Sequence, residues 1–168
     1  MIESERLLLR PPQIGDFEQT AQMLAETAVM THIGGSPLNR EEAWARFLRD
    51  AGHWAVESFG LFSVIEKSSG LYVGKVGYAR FERPLGDHAR TSVEMSWTLR
   101  SRFHGRGYAT EAAVAAQGRF SRSNRQRTAC LIAPANGPSL KLAARLGYRQ
   151  VDRIMRGQGE VVVLVHEP

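Results

Sequence analysis

Apolar residues recur along this chain with two different periods, and the switches between them mark out its elements. The run Leu7-Leu8-Leu9, set between Arg6 and Arg10 and stopped by Pro11-Pro12, predicts a first strand. Asp16 then stands where a helix N-cap is expected, ahead of Phe17, Ala21, Leu24, Ala25 and Ala28 at helical spacing. After Gly34-Gly35-Ser36-Pro37, the tetrad Asn39-Arg40-Glu41-Glu42 has the cap-x-x-Glu form in which each side chain satisfies the other residue's free amide. Trp44, Phe47, Leu48 and Ala51 follow at i, i+3, i+4 and i+7, which turns an aromatic face to the core, and Gly52 is expected to end this helix.

From Leu61 the pattern becomes that of strands. Segments 61–66 and 71–81 carry β-branched and aromatic residues, and Lys67-Ser68-Ser69-Gly70 between them predicts a hairpin. Gly74 and Gly77 inside the second run point to a bulge or to close backbone approach. Residues 90–99 extend the meander by a third strand. A glycine turn, His104-Gly105-Arg106-Gly107, opens into a helix over 108–120 whose face is Ala109, Ala112, Ala113, Ala116 and Phe120. A strand over 128–133 follows. Asn136-Gly137-Pro138-Ser139 then opens a short helix ending at Leu146-Gly147, and residues 148–154 and 161–166 close the chain as a hairpin around Arg156–Gly159. Neither a repeat nor a linker interrupts this order, so residues 1–168 are expected to form one domain.

Composition narrows the class without changing the picture. With 43% hydrophobic and 23% charged residues the chain has the make-up of a globular protein with a sizeable core. No apolar run approaches the roughly 18 residues of a membrane span, and Met1–Arg6 lacks the basic start of a signal peptide. A cytoplasmic protein without membrane attachment is expected. The five histidines show no metal-ligand spacing, so no metal is expected. Cys130 lies in the apolar run Ala129–Ala133, as a buried, inert thiol would.

Charge is unevenly placed. Residues 1–66 hold ten acids and five arginines, whereas residues 67–168 hold seven acids and seventeen lysines or arginines. Between Arg100 and Arg127 seven arginines face one acid, Glu111. Such a block suits nucleic acid or a small polyphosphate. The stretch 118–127 has one aromatic residue, Phe120, and so offers no stacking platform; nucleic acid is not the expected partner. The glycine turn has its own chemistry, because glycines let backbone approach a ligand and the first amides of a helix attract anions. A dinucleotide fold is disfavoured, since Thr110 replaces the third glycine and no acid follows about twenty residues on.

Taken together, Glu94-Met95-Ser96-Trp97-Thr98-Leu99, His104-Gly105-Arg106-Gly107-Tyr108-Ala109-Thr110-Glu111-Ala112, and Asn136-Gly137-Pro138-Ser139 with Leu146-Gly147-Tyr148 resemble the GNAT superfamily of N-acetyltransferases, nearest its RimJ/RimL-like branch. The opening Glu5–Arg10 and the stretch 54–77 share the likeness. It implies an α/β (α+β) fold with a mixed, mostly antiparallel central sheet of about seven strands and helices on both faces. It also implies acetyl-CoA as donor and an amine as acceptor. The family's turn would hold the pyrophosphate through His104, Gly105, Arg106, Gly107, Tyr108, Ala109 and Thr110. The preceding strand would diverge from the strand over 128–133, leaving backbone near Trp97, Thr98 and Leu99 for the pantetheine arm and thioester. Asn136 and Ser139 match positions that face the cofactor.

Amine acetylation needs a neutral amine, and Glu94 is the candidate to take its proton; an ion pair with one of the many arginines is the competing reading. The sequence departs from the family in two places. His104 replaces the usual Gln or Arg, which puts a side-chain contact from that position in doubt. Ala143 stands where a tyrosine often protonates the leaving thiolate, which leaves Ser139 or water for that task. A catalytically silent acyl-CoA sensor would keep the turn and have no need of Glu94. The acidic first half, with Glu26, Glu41, Glu42 and Glu57, suggests a cationic acceptor such as a protein N-terminus or a polyamine, and exposed strand ends leave room for a homodimer.

Overall fold

The central sheet is built by the meander that the middle of the chain predicts. The computed structural model describes residues 1–157 and 159–168; Gln158, in the expected final hairpin turn, lies outside them. Among the described residues the order is β1 (Ile2–Glu3), β2 (Leu7–Arg10), a 3-10 turn (Ile14–Asp16), α1 (Phe17–Leu24), α2 (Thr27–Met30), α3 (Arg40–Val56), β3 (Leu61–Glu66), β4 (Tyr72–Arg80) and β5 (Val93–Leu99). After a second 3-10 turn (Ser101–Phe103) come α4 (Tyr108–Ser123), β6 (Thr128–Ile132), α5 (Gly137–Arg145), β7 (Arg149–Arg156) and β8 (Gly159–His166). The eight strands form one sheet in the order β1-β2-β3-β4-β5-β6-β8-β7. All neighbours are antiparallel except β5 and β6. The strand beyond the expected seven is β1, two residues too short to register as a pattern.

Helices cover both faces. On one, the alanine face of α4 (Ala112, Ala113, Ala116) lets that helix lie close to the sheet, with Phe120 stacked on Tyr78 at 3.9 Å and α5 adding Leu142 and Ala143. On the other, α1, α2 and α3 close over Tyr72 with Phe17, Met23, Leu24, Met30 and Phe47. A third cluster forms under the loop after β4, where Leu85 and Ala89 meet Ala129 and Val163. Cys130 is buried, and burial pushes its thiol up, away from reactivity.

Several helix details differ from the pattern. Asp16 does not cap α1; its carboxylate accepts from Arg10 (2.7 and 2.8 Å), the Gln13 amide (2.9 Å) and Ser63 (2.7 Å), and so ties β2 to β3. The first helix stops at Leu24 because Glu26 turns extended to hold Arg100 and the Ser101 amide, and Ala25 and Ala28 are exposed. The Asn39–Glu42 capping box forms as expected, with reciprocal bonds of 2.8 and 2.9 Å. Its helix α3 runs past Gly52 to Val56, and its buried face is Ala43, Phe47 and Asp50, while Trp44 and Leu48 are exposed. The inward position is thus taken by a carboxylate, because Lys75 of β4 lies beneath it as a buried partner.

Gly74 and Gly77 serve close approach. A methyl on Gly74 would collide with the Thr98 carbonyl oxygen and lie 2.7 Å from Leu99 Cα, and one on Gly77 would strike the Gly60 carbonyl. A bulge falls opposite Gly74, between Val64 and Ile65.

Gly74→Ala is therefore expected to destabilise the fold by about 3 kcal/mol, read as a lower urea midpoint. The second expectation concerns acid. Burial pushes the Asp16 carboxyl up, but Arg10, the Gln13 amide and Ser63 outweigh it, leaving it below its ordinary value of 3.8. Its stabilisation is full above that value and is lost as pH falls through the depressed folded-state value. Asp16→Asn should cost about 2 kcal/mol at neutral pH, and the gap to the parent protein should close in urea titrations carried below about pH 4.

Candidate active site

Everything at the site follows from how β5 ends. Its partner on one side, β4, follows it through Gly74↔Leu99, but on the other side β6 pairs with it at Glu94↔Ala129 alone. Past that position the two parallel strands diverge. The backbone from Met95 to Leu99 consequently has no ladder partner in β6, and unpaired peptide groups of this kind demand solvent or a ligand. The divergence opens two adjoining cavities, one of about 660 Å³ and one of about 350 Å³, which share His32, Ile33, Trp97, Thr98, Asn136 and Ser139 as a common wall.

The larger cavity leads to the glycine turn. Gly105 and Gly107 both adopt left-handed backbone, φ +72 and +79, which reverses the chain from the 3-10 turn into α4. No side chain caps α4. The amides of residues 105–110 have no hydrogen-bond partner among the described residues, so six consecutive donors stand open where the turn enters the helix. Such a nest at a helix N-terminus is suited to a di- or polyphosphate. His104 does not point into it. Its Nε2 lies 2.9 Å from the Leu99 carbonyl oxygen, which can only accept, so Nε2 carries the proton and the ring locks the turn to the end of β5.

The turn is also tied from outside, by residues that the sequence pattern did not single out. Arg6 donates Nε to Glu111 (2.7 Å) and Nη1 to the Arg106 carbonyl (3.0 Å), and its guanidinium lies 4.3 Å from the Tyr108 ring centroid. Glu111 further accepts from the Arg6 amide and from Ser4, both at 2.7 Å. Burial pushes its carboxyl up, yet these donors hold it below the ordinary range. Tyr108 donates to Glu66 across the same seam. The Arg6 flank of the first strand thus fixes the turn, a pairing across more than a hundred residues that no local pattern announces.

α5 supplies the opposite wall. Asn136 caps it, accepting from the Ser139 amide at 3.2 Å. Trp97 Nε1 donates to Ser139 Oγ at 3.1 Å. An indole N–H is a donor only, so the serine oxygen accepts and its own proton is free to turn into the cavity. Ala143 is buried in the core, and Tyr148, hydrogen-bonded to Thr128 at 2.7 Å, is packing.

The smaller cavity holds Glu94, which is 2% exposed. Arg83 grips it with two bonds, Nε to Oε1 at 2.7 Å and Nη2 to Oε2 at 2.5 Å. A carboxylate offers about four lone-pair sites, so this fork leaves each oxygen able to accept once more. Glu94 thus makes the arginine ion pair that was the competing reading, with Arg83 of the loop after β4 as its partner.

The candidate residues therefore fall into two groups. Trp97, Thr98, Leu99, His104, Gly105, Gly107, Tyr108, Ala109, Thr110, Asn136 and Ser139 all line the larger cavity. Glu94 lines the smaller one beside the shared wall, and Arg106 lies outside both, its carbonyl held by Arg6. None of Glu26, Glu41, Glu42 and Glu57 lines either cavity. Glu26 holds Arg100 and Ser101, Glu42 is in the capping box, and Glu57 lies 3.5 Å from Arg80, so the acidic half gives no support for a cationic acceptor. Among the described residues, no cluster of three or more His, Cys, Asp or Glu could hold a metal, and no helix is long and apolar enough to cross a membrane.

Comparison with known proteins agrees with this geometry. The chain is 25% identical over 150 residues to the uncharacterized N-acetyltransferase YnaD of Bacillus subtilis (strain 168), covering 89% of this chain and 82% of that protein. A protein of Bordetella pertussis assigned to the GnaT family of acetyltransferases superposes with a TM-score of 0.84 at 30% identity, over 98% of this chain and 97% of that one. The fold is also shared, at 14% identity and a TM-score of 0.73 over 97% and 94% of the two chains, with yncA of Salmonella typhimurium, solved with its cofactor acetyl-CoA. The model of the acetyltransferase (GNAT) domain matches residues 6–149, and with most of the chain inside that match the protein belongs to the GNAT acetyltransferase family.

Proposed function

We propose that the protein transfers an acetyl group from acetyl-CoA to a primary amine, by direct attack of the amine on the thioester. The observation that carries this reading is the divergence of β5 from β6 between an unpartnered amide nest and a buried glutamate. The six amides of residues 105–110 and the absence of a capping side chain on α4 fit the pyrophosphate of the donor. The unpaired backbone of Trp97 to Leu99 and the Asn136 side chain suit its amide-bearing arm. The acetyl donor seen in the Salmonella typhimurium relative supports the same assignment. We place the protein nearest the RimJ/RimL-like branch on its Glu94–Leu99 and Asn136–Ser139 segments.

The donor supplies an acetyl carbon activated as a thioester. The acceptor ammonium first gives a proton to Glu94, directly or through a water. Glu94 uses a lone pair left open by the Arg83 fork, and the buried pairing keeps its carboxylate aimed into the smaller cavity. The neutral nitrogen then forms the new N–C bond, and the C–S bond breaks with its electron pair leaving on sulfur. Backbone N–H groups near Trp97 and Thr98 offset the charge gathering on the carbonyl oxygen. A second proton leaves the nitrogen, so that one of the two ends on sulfur and one reaches solvent. Ser139, whose oxygen is already engaged by Trp97, directs its hydroxyl proton at the departing sulfur. A thiol is acidic enough to leave with this hydrogen bond alone, which accounts for an alanine at position 143. Residues 1–168 act as one domain, and a silent sensor would have no need of the Glu94 carboxylate.

The decisive measurement is acetyl-CoA turnover with a panel of amines. Glu94→Gln is expected to lower kcat by about 10²- to 10⁴-fold while the thermal shift given by acetyl-CoA stays as in the parent protein. Lack of any thermal shift with acetyl-CoA or CoA at high concentration would sink the acetyltransferase reading. Gly107→Ala forces a side chain into left-handed backbone and should raise the acetyl-CoA Kd on the order of tenfold, equivalent to about 1.4 kcal/mol, with kcat at saturation changed far less.

A further inference from the structure

Beyond the Arg83–Glu94 pair, the smaller cavity carries a charge pattern that the acetyl transfer itself does not use. Five cations from four parts of the chain line it: Arg46 and Arg49 of α3, Lys75 of β4, Arg83 of the following loop, and Arg156 at the end of β7. Only two carboxylates answer them. Asp50, buried behind the wall, holds Lys75 and, at 3.0 Å, Arg49. Glu94 holds Arg83. Arg46 and Arg156 have neither an acidic partner nor a hydrogen bond among the described residues. Arg46 is half-buried and Arg156 exposed; partial desolvation and then the like-charged neighbours, Arg49 for the one and Arg83 for the other, disfavour both charges, with Asp50 and Glu42 opposing at Arg46 and Glu94 opposing at Arg156. Phe81 stiffens the arrangement, since the guanidinium groups of Arg49 and Arg83 lie over its ring at 4.5 and 4.8 Å from the centroid.

A polyamine or other purely cationic acceptor would meet net repulsion in this cavity. Arginine forks match the planar or tetrahedral oxygens of carboxylate and phosphate. From the convergence of Arg46 and Arg156 on the cavity that holds Glu94, we infer that the acceptor is a small amine carrying an anionic group, a carboxylate or phosphate, which Arg46 and Arg156 bind while the amine faces Glu94. The inference rests on the acetyltransferase reading for the role of the cavity. Arg46 and Arg156 are specificity residues in it, outside the reacting atoms.

Acceptors matched except for the anion test it: β-alanine against β-alaninamide for carboxylate, and O-phosphoethanolamine against ethanolamine for phosphate, with spermidine as polycation. At least one anionic member should exceed its neutral partner tenfold or more in kcat/KM, and the pair that does so identifies the anion. Arg46→Gln and Arg156→Gln should each reduce that preference to about twofold without changing the KM for acetyl-CoA, whereas Arg153→Gln, a surface control for net charge, should keep it. Preference for spermidine or for the neutral members, or an intact preference in both variants, would overturn the inference and leave the acetyltransferase reading standing. A measurement free of turnover accompanies it. Inorganic phosphate should raise the melting temperature of the CoA-saturated protein, and the double variant Arg46→Gln/Arg156→Gln should lose that rise; an equal rise in both proteins would count against the site. If CoA itself fails to stabilise the protein, the acetyltransferase reading falls, and the same phosphate comparison without CoA still decides whether these arginines bind an anion.

Discussion

A single paired position, Glu94 opposite Ala129, is the constraint on which the rest of the structure depends. A parallel pair that continued to Leu99 would satisfy its own backbone and leave no cavity. By parting after one residue, β5 and β6 leave a seam of peptide groups inside the sheet, where burial without partners costs several kilocalories per mole (on the order of 1–3 for each group). The fold can keep such a seam only if something else holds β5 in place. That role falls to β4, paired with β5 along its whole length, and to Gly74, whose missing side chain lets the two strands approach at Thr98 and Leu99. His104 then fastens the end of β5 from its other side by binding the Leu99 carbonyl. The open edge is therefore held from two sides.

The same constraint organises the ends of the helices. α4 begins where β5 stops, so its uncapped amides face the opening, and Arg6 and Glu111 hold that turn against β2 from outside. α5 begins where β6 stops, so Asn136 and Ser139 face the opening from the far wall. Two helix N-termini thus converge on one gap because each follows one of the two diverging strands. Trp97 ties β5 to the second of them, with its ring in the wall and its N–H on Ser139. Binding and chemistry are separated along β5: the amide nest lies beyond Leu99, and Glu94 lies at its start, where the strands still touch.

Those parts of the structure in which local sequence determines local geometry were legible. The Asn39–Glu42 box, the left-handed Gly105, Gly107 and Gly147, the Asn136 cap and the alanine face of α4 each follow from residue type and spacing. The family resemblance added the guess that β5 diverges, which residues alone could not supply. What escaped was decided by distant partners. Asp16 reads as a cap until Arg10 and Ser63 claim it, and Trp44 reads as core until Asp50, drawn inward by Lys75, turns α3. The charge of the first half is no guide to the acceptor for the same reason. Most of its acids are engaged in caps and ties, among them Asp16, Glu26, Glu42 and Asp50, while two of its five arginines, Arg46 and Arg49, reach the smaller cavity. Net charge along a sequence says little about the sign of a pocket that many distant segments build together.

The sign of that pocket bears on the chemistry as well as on recognition. A cationic surrounding disfavours an ammonium ion and lowers the pKa of an amine placed within it. Acetyl transfer needs the neutral amine, so the arginines that would repel a bare cation also favour its reactive form. Alone they would weaken binding, because an uncharged amine gains nothing from them. An anion on the same molecule reverses that loss: it occupies Arg46 and Arg156, holds the nitrogen at a fixed reach from Glu94, and leaves the remaining positive field to act on the amine. Glu94 fits the same scheme, since Arg83 compensates its charge in a buried position and holds the carboxylate in place. A cavity with two arginines that have no partner among the described residues and one arginine-held glutamate thus favours binding through the anion and reaction through the amine.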